Sequence, residues 1–136
     1  KRCNPEKDDI LYTKNGTIGI AKIIDWDYEF SIFVSLCLIK PKHDLINNKY
    51  LETFLNTPFA LNQAKKHSKT GTISNLHLVE IKKMKIPLPP MNFQNQFAER
   101  VQFIAQQKQQ AQDTLQKSED LFNSLLQKAF NGELVK

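Results

Sequence analysis

"IPLPPMNFQNQFAERVQFIAQQKQQAQ" runs from Ile86 to Gln112. Three prolines, Pro87, Pro89 and Pro90, fall within four residues, and then neither proline nor glycine occurs before Gly132. Proline fixes its own φ and pushes the preceding residue out of the helical region, so this cluster closes one structural region and frees the next. Steps of four and three from Phe97 give Val101, Ile104, Lys108, Ala111, Leu115, Ser118, Phe122, Leu125 and Ala129, and only Lys108 and Ser118 break the apolar seam. A 3.5-residue period sustained over several heptads marks a coiled coil, because the stripe on an isolated straight helix would drift. The other faces carry mainly Gln, Lys, Glu and Asp. The spacing predicts a helix over 92–130, about 58 Å long at 1.5 Å per residue. That exceeds the width of a small domain, so the seam calls for a partner helix. Phe97, Val101, Ile104, Leu115, Phe122 and Leu125 are the candidate pairing residues, and Asn131-Gly132 supplies a stop.

Upstream of the prolines the pattern is different. "DILYT" and "IGIAKII" are short runs rich in β-branched and aromatic residues, separated by "KNGT". Asn15-Gly16 suits the positive φ of a tight hairpin. Phe30–Lys40 reads as a further strand ended by Pro41, which lacks the N–H a ladder needs. Asn47 or Asn48 can cap a helix that places Tyr50, Leu51, Phe54 and Leu55 on one face. Thr57 and Pro58 then form a cap and first helical residue for "FALNQAKKH". After the basic loop "KKHSKTGT", a short segment from Leu76 to Lys82 leads into "MKIPLPP", read as an edge strand. The expected fold class is α+β: a small mixed β/helix domain over residues 1–90, then one long coiled-coil-forming helix over 91–136.

Charge narrows the function classes. The net charge is +5, yet residues 1–48 hold seven Lys/Arg against seven Asp/Glu, and residues 86–136 hold five of each. Residues 49–85 hold seven lysines against two glutamates, so the whole excess lies there. Clustering of this kind fits a polyanion partner, since each lysine beside a phosphate releases a condensed counterion; a solvated basic face fits the charge alone equally well. "TKNGTIG" and "KKHSKTGTISN" add the lysines, hydroxyls and amides that contact phosphates and base edges. The candidate polyanion-contacting residues, each as readily an ordinary polar turn taken singly, are Lys14, Asn15 and Thr17 in the first, and Lys65, Lys66, His67, Ser68, Lys69, Thr70 and Thr72 in the second; DNA is the polyanion that the resemblance described below implies. Lysines would anchor phosphates, while Asn15, Ser68, Thr70 and Thr72 would read bases directly or through water. Gly16 and Gly71 serve the backbone.

Other chemistry finds little support. His43, His67 and His77 lack metal-ligand spacing, Cys3 and Cys37 form no C-x-x-C pair, and phosphate-cradling glycine loops and nucleophile elbows do not occur. "NTPF", Asn56–Phe59, approaches the motif with which amino-methyltransferases hold a flipped base, but its second residue is Thr and helix capping accounts for it better. The run "FSIFVSLCLI" is too short to span a bilayer. The cysteine usage fits a reducing cytosol. The opening "KRCNPEKDD" has no signal-peptide core and no initiator methionine, which suggests a fragment.

Taken in order, "DDILYTKNGTIGIAKII", "KYLETFLNTP", "TGTISNLHLVEIKKMKIPLPPMNFQNQFAERV" and "SLLQKAFNGEL" resemble the specificity (S) subunits of Type I restriction-modification systems. The similarity covers the distal part of a target recognition domain and the conserved helix after it. Asp8-Asp9 stands where Gly-Asp is usual in the family, and Asn95-Gln96 where Glu-Gln is usual. The first portion of a recognition domain has no counterpart here. The resemblance implies a non-catalytic DNA-reading subunit in which antiparallel conserved helices act as a ruler between two half-sites. It implies double-stranded DNA, methyltransferase subunits and restriction subunits as partners, and a second conserved helix in cis or in a homodimer. S-adenosylmethionine would belong to the methyltransferase, with no cofactor in this chain. The rival readings are a coiled-coil assembly module without DNA contact, a truncated amino-methyltransferase, and an RNA binder, for which stacking aromatics in an RNP-like strand are missing.

Overall fold

The computed structural model of the chain describes residues 4–67 and 75–133. Its centre is a three-stranded antiparallel sheet in the order β2-β1-β3, with β1 at Ile10–Thr13, β2 at Ala21–Ile23 and β3 at Leu36–Ile39. Ile10 faces Ile23 on one side and Ile39 on the other, and Tyr12 faces Ala21 and Cys37. Alternate residues of a strand share a face, so Ile10 and Tyr12, both wholly buried, point together into the core. Leu51 and Leu55 from α1 (Asn48–Leu55) and Ala64 from α2 (Pro58–His67) complete that core, with Ile46 and Leu76. Burial raises the Tyr12 phenol above its ordinary pKa, with a smaller push from neighbouring Cys37.

The helix starts follow their local chemistry. The Asn47 side chain accepts from the N–H groups of Lys49 and Tyr50, which satisfies two donors that helical geometry leaves open. Thr57 Oγ1 accepts from Ala60 N–H at 3.2 Å and so caps α2 ahead of Pro58. α1 also protects the sheet edge. Its Glu52 Oε1 accepts from Ile23 N–H at 2.9 Å, and one turn later Asn56 accepts from Ala21 N–H and donates to Ala21 C=O, both at 2.9 Å. These side chains take the place of a fourth strand along β2, the open edge that natural sheets have to guard. Asn56, the first residue of "NTPF", is thus committed to the fold and has no amide left for a base.

Three sequence expectations need correction. The connection from β1 to β2 is no tight hairpin: it spans 14–20, with positive φ at Gly16 and Gly19 but not at Asn15. β3 begins at Leu36 rather than Phe30: β1 ends at Thr13, and one further bond, from Lys14 N–H to Ser35 C=O at 2.9 Å, closes this side of the pairing. "MKIPLPP" joins no ladder; a helical turn, α3 (Leu78–Ile81), precedes it. Its backbone is held by a side chain instead: Lys85 N–H donates to Gln63 Oε1 at 2.9 Å, and Gln63 Nε2 donates to Lys85 C=O at 3.1 Å.

α4 runs unbroken from Met91 to Phe130, 40 residues and, at 1.5 Å each, about 60 Å. Its first turns belong to the domain, whose compact unit ends at Ala98; the second unit begins at Glu99. Gln94 is buried, with Oε1 accepting from Asn47 N–H at 2.9 Å and Nε2 donating to the carbonyls of Leu45 and Pro89. The far end closes as a Schellman motif: Gly132 lies at φ +71, its N–H donates to Ala129 C=O, and Glu133 N–H donates to Lys128 C=O. Among the described residues, no helix is long and apolar enough to cross a membrane.

Candidate nucleic-acid interface

The two stretches singled out by composition meet in space. Asn15 forms an isolated antiparallel bridge with Asn75, and Leu76 N–H donates to Lys14 C=O at 2.8 Å. The 14–20 connection is thereby stitched to the residues that follow the basic loop. A second contact ties the same connection to α2. A Cβ built on Gly19 would lie 2.6 Å from Leu61 Cδ1, so any side chain there would push the Leu61 methyl aside, and Gly19 also sits at φ +91, where glycine is favoured. Leu61 is one helical turn ahead of Lys65.

Lys14 and Asn15 are half-buried at this junction, Thr17 is exposed, and Lys65 and Lys66 are exposed near the end of α2. His67 is the last residue of that helix. Ser68, Lys69, Thr70 and Thr72 lie outside the described residues. The side-chain oxygens of both Asn15 and Asn75 are buried and have no donor among the described residues. Such acceptors are costly to leave unmatched.

The sequence reading passed over part of α2. Phe59, Asn62, Gln63 and Lys66 stand at the i, i+3, i+4, i+7 spacing of one helix face, and with Lys65 they line a shallow depression. Gln63 is occupied by Lys85, which leaves Phe59, Asn62 and the two lysines facing solvent. The signal for this face was the helical spacing itself, hidden because the Thr-Pro start drew attention to capping.

Along α4, Phe97 meets Tyr50 edge-on at 5.6 Å between ring centroids, so part of its ring is engaged within the domain. Val101 is half-buried, and from Gln102 to Glu133 every residue is exposed. Ile104, Leu115, Phe122 and Leu125 are therefore solvent-facing, and so are Leu121 and Leu126 flanking the seam, with Phe103 and Phe130 exposed on the outer side of the helix. The stripe is wider than the strict heptad count implied. Among the described residues, no group of three or more His, Cys, Asp or Glu is placed to hold a metal ion.

Residues 1–117 match the family described as the Type I restriction modification DNA specificity domain. The chain is 30% identical over 139 aligned residues to the Type I restriction enzyme EcoBI specificity subunit of Escherichia coli, a match covering 99% of this chain and 29% of that protein. It is 33% identical over 96 residues to a putative type I restriction enzyme specificity subunit of Haemophilus influenzae, S.HindORF215P, covering 70% of this chain and 23% of that protein. The chain thus spans less than a third of the length of either curated relative.

Proposed function

The chain belongs to the Type I restriction-modification DNA specificity family, and from that premise we propose that it reads one half of a split DNA target for a methylating and restricting complex. The observation that carries this reading is the Asn15–Asn75 bridge with its Lys14–Leu76 hydrogen bond. Through it, the lysine-bearing 14–20 connection is joined to Asn75 and Leu76, the residues that close the second polar stretch. Lys14, Lys65, Lys66 and Lys69 anchor phosphates, and Asn15, Thr17, Ser68, Thr70 and Thr72 reach base edges, with His67 between the two groups. Phosphate contacts fix register on the duplex and amides and hydroxyls discriminate the bases.

The chain acts without catalysing a reaction. Methyltransferase subunits, which carry S-adenosylmethionine, and restriction subunits assemble on the protein in the cytoplasm. α4 pairs through Val101, Ile104, Leu115, Phe122 and Leu125 with a second conserved helix, in cis or from a homodimer partner, and its length sets the spacing between half-sites.

The test is binding of labelled duplex DNA to the whole protein with its methyltransferase partner, over a salt series. Removing a lysine that neutralises one phosphate lowers the slope of log K against log salt by about 0.9. Changing Lys65, Lys66 and Lys69 together to Ala is expected to flatten that slope by roughly two to three. Equal slopes in wild type and variant overturn the assignment of the basic segment. Loss of all salt dependence in the wild type would favour an assembly module without DNA contact.

A further inference from the structure

The segment that leaves β2, "DWDYEF" from Asp25 to Phe30, is left unused by DNA reading. Its three aromatic rings gather into one cluster: Trp26 stacks on Tyr28 at 5.7 Å, Phe30 lies 5.4 Å from Trp26, and Tyr28 meets Phe30 edge-on at 6.2 Å. Alternate residues of an extended chain share one face, but their rings come this close only through the irregular backbone found here. Tyr28 remains 69% exposed, so its ring is open to a partner. The cluster borders a surface depression shared with Pro5, Glu6 and Lys7. The Trp26 indole N–H is buried with no acceptor among the described residues.

The charge around these rings is the reverse of that on the basic segment. Asp25, Asp27 and Glu29 alternate with them, and residues 25–30 include no lysine or arginine. Lys7 pairs with Asp27 at 3.1 Å and Lys22 with Asp25 at 3.4 Å, while Glu29 has no ion pair among the described residues. Electron-rich ring faces interleaved with carboxylates attract a cation twice over, through the ring quadrupole and through direct charge. The same carboxylates repel a phosphate backbone.

We propose that the Trp26–Tyr28–Phe30 cluster is a docking site for an arginine- or lysine-bearing segment of a partner protein, seated on the ring faces with Glu29 as counter-charge. The site lies at the opposite end of β2 from the 14–20 connection, so it does not depend on the DNA reading.

Trp26 is the single tryptophan of the chain, so its fluorescence reports the site directly. The test titrates the 136-residue chain with a short arginine-glycine peptide, a glutamate-glycine peptide of equal length and a duplex DNA. The arginine peptide is expected to give a saturable change in Trp26 emission that weakens with salt, and the other two probes none. Tyr28→Ala and Glu29→Gln, both at exposed side chains and so safe for the fold, should each weaken arginine-peptide binding by about two- to fivefold. A flat response to the arginine peptide overturns the proposal. So does a stronger response to duplex, which would make the rings a base-stacking platform, and so does a change on concentrating the protein alone, which would make them a self-association face.

Discussion

The carbonyl of Lys14 accepts a 2.8 Å hydrogen bond from the N–H of Leu76, and beside it Asn15 bridges Asn75. The partners are far apart along the chain, so the junction is a tertiary device and not a turn. If both asparagines serve one DNA surface, their contributions to binding are coupled. Single and double changes of Asn15 and Asn75 to Ala should give a non-additive loss of duplex affinity, with an interaction of about 0.5 kcal/mol or more. Additive losses would mean that the two residues contact DNA independently or not at all.

Gly19 tests the second stitch. At φ +91 any side chain is strained, and a methyl group there would also strike Leu61. Gly19→Ala should therefore cost roughly 2–4 kcal/mol in urea unfolding, part from the left-handed backbone and part from the collision. In a Leu61→Ala background only the backbone part should remain, about 1–2 kcal/mol. Equal costs in both backgrounds would show that Leu61 gives way freely.

Asp8 has the opposite defect. It is the one non-glycine residue with positive φ among the described residues, at +70, in the left-handed region that favours glycine. Its N–H donates to Ile24 C=O and its carbonyl accepts from Asn48 Nδ2, bonds that any residue at this position other than proline keeps. Asp8→Gly should stabilise the chain by about 0.5–1 kcal/mol, the relief of strain less the added freedom of the unfolded glycine. A shift of the unfolding midpoint to lower denaturant would contradict it.

What the sequence made legible was local. The Asn47 and Thr57 caps, Pro58 at the first helical position, the long helix and its Asn131-Gly132 stop each depend on residues within one turn of each other. What it hid was set by distant partners. "KNGT" has the composition of a tight turn, but Asn75, Leu76 and Leu61 hold the connection open in a longer form. "MKIPLPP" has the look of an edge strand, yet one glutamine amide supplies the bonds a neighbouring strand would have made. The buried carboxamide of Gln94 was equally invisible, since nothing in "MNFQNQ" tells which glutamine faces inward. Near the candidate site the residue types were readable from composition, whereas the pairing of Asn15 with Asn75 was not.

The exposed seam of α4 yields the last prediction. A 40-residue helix with its second unit almost wholly in water draws its stability there from propensity and i,i+4 pairs, such as Gln109 with Asp113 and Gln116 with Asp120, which contribute a few tenths of a kcal/mol each. Ile104, Leu115, Phe122 and Leu125 meanwhile expose large apolar surfaces on one stripe. In solutions of this chain alone, a second copy is the partner at hand, so sedimentation velocity should reveal association that strengthens with concentration, and helical ellipticity should rise with it. Leu115→Lys and Phe122→Lys place a charge in the seam and should abolish both effects. Gln106→Lys, on the opposite face, should leave them intact. If the seam variants associate as the wild type does, the heptad stripe is not what pairs, and half-site spacing has to be set by some other part of the protein.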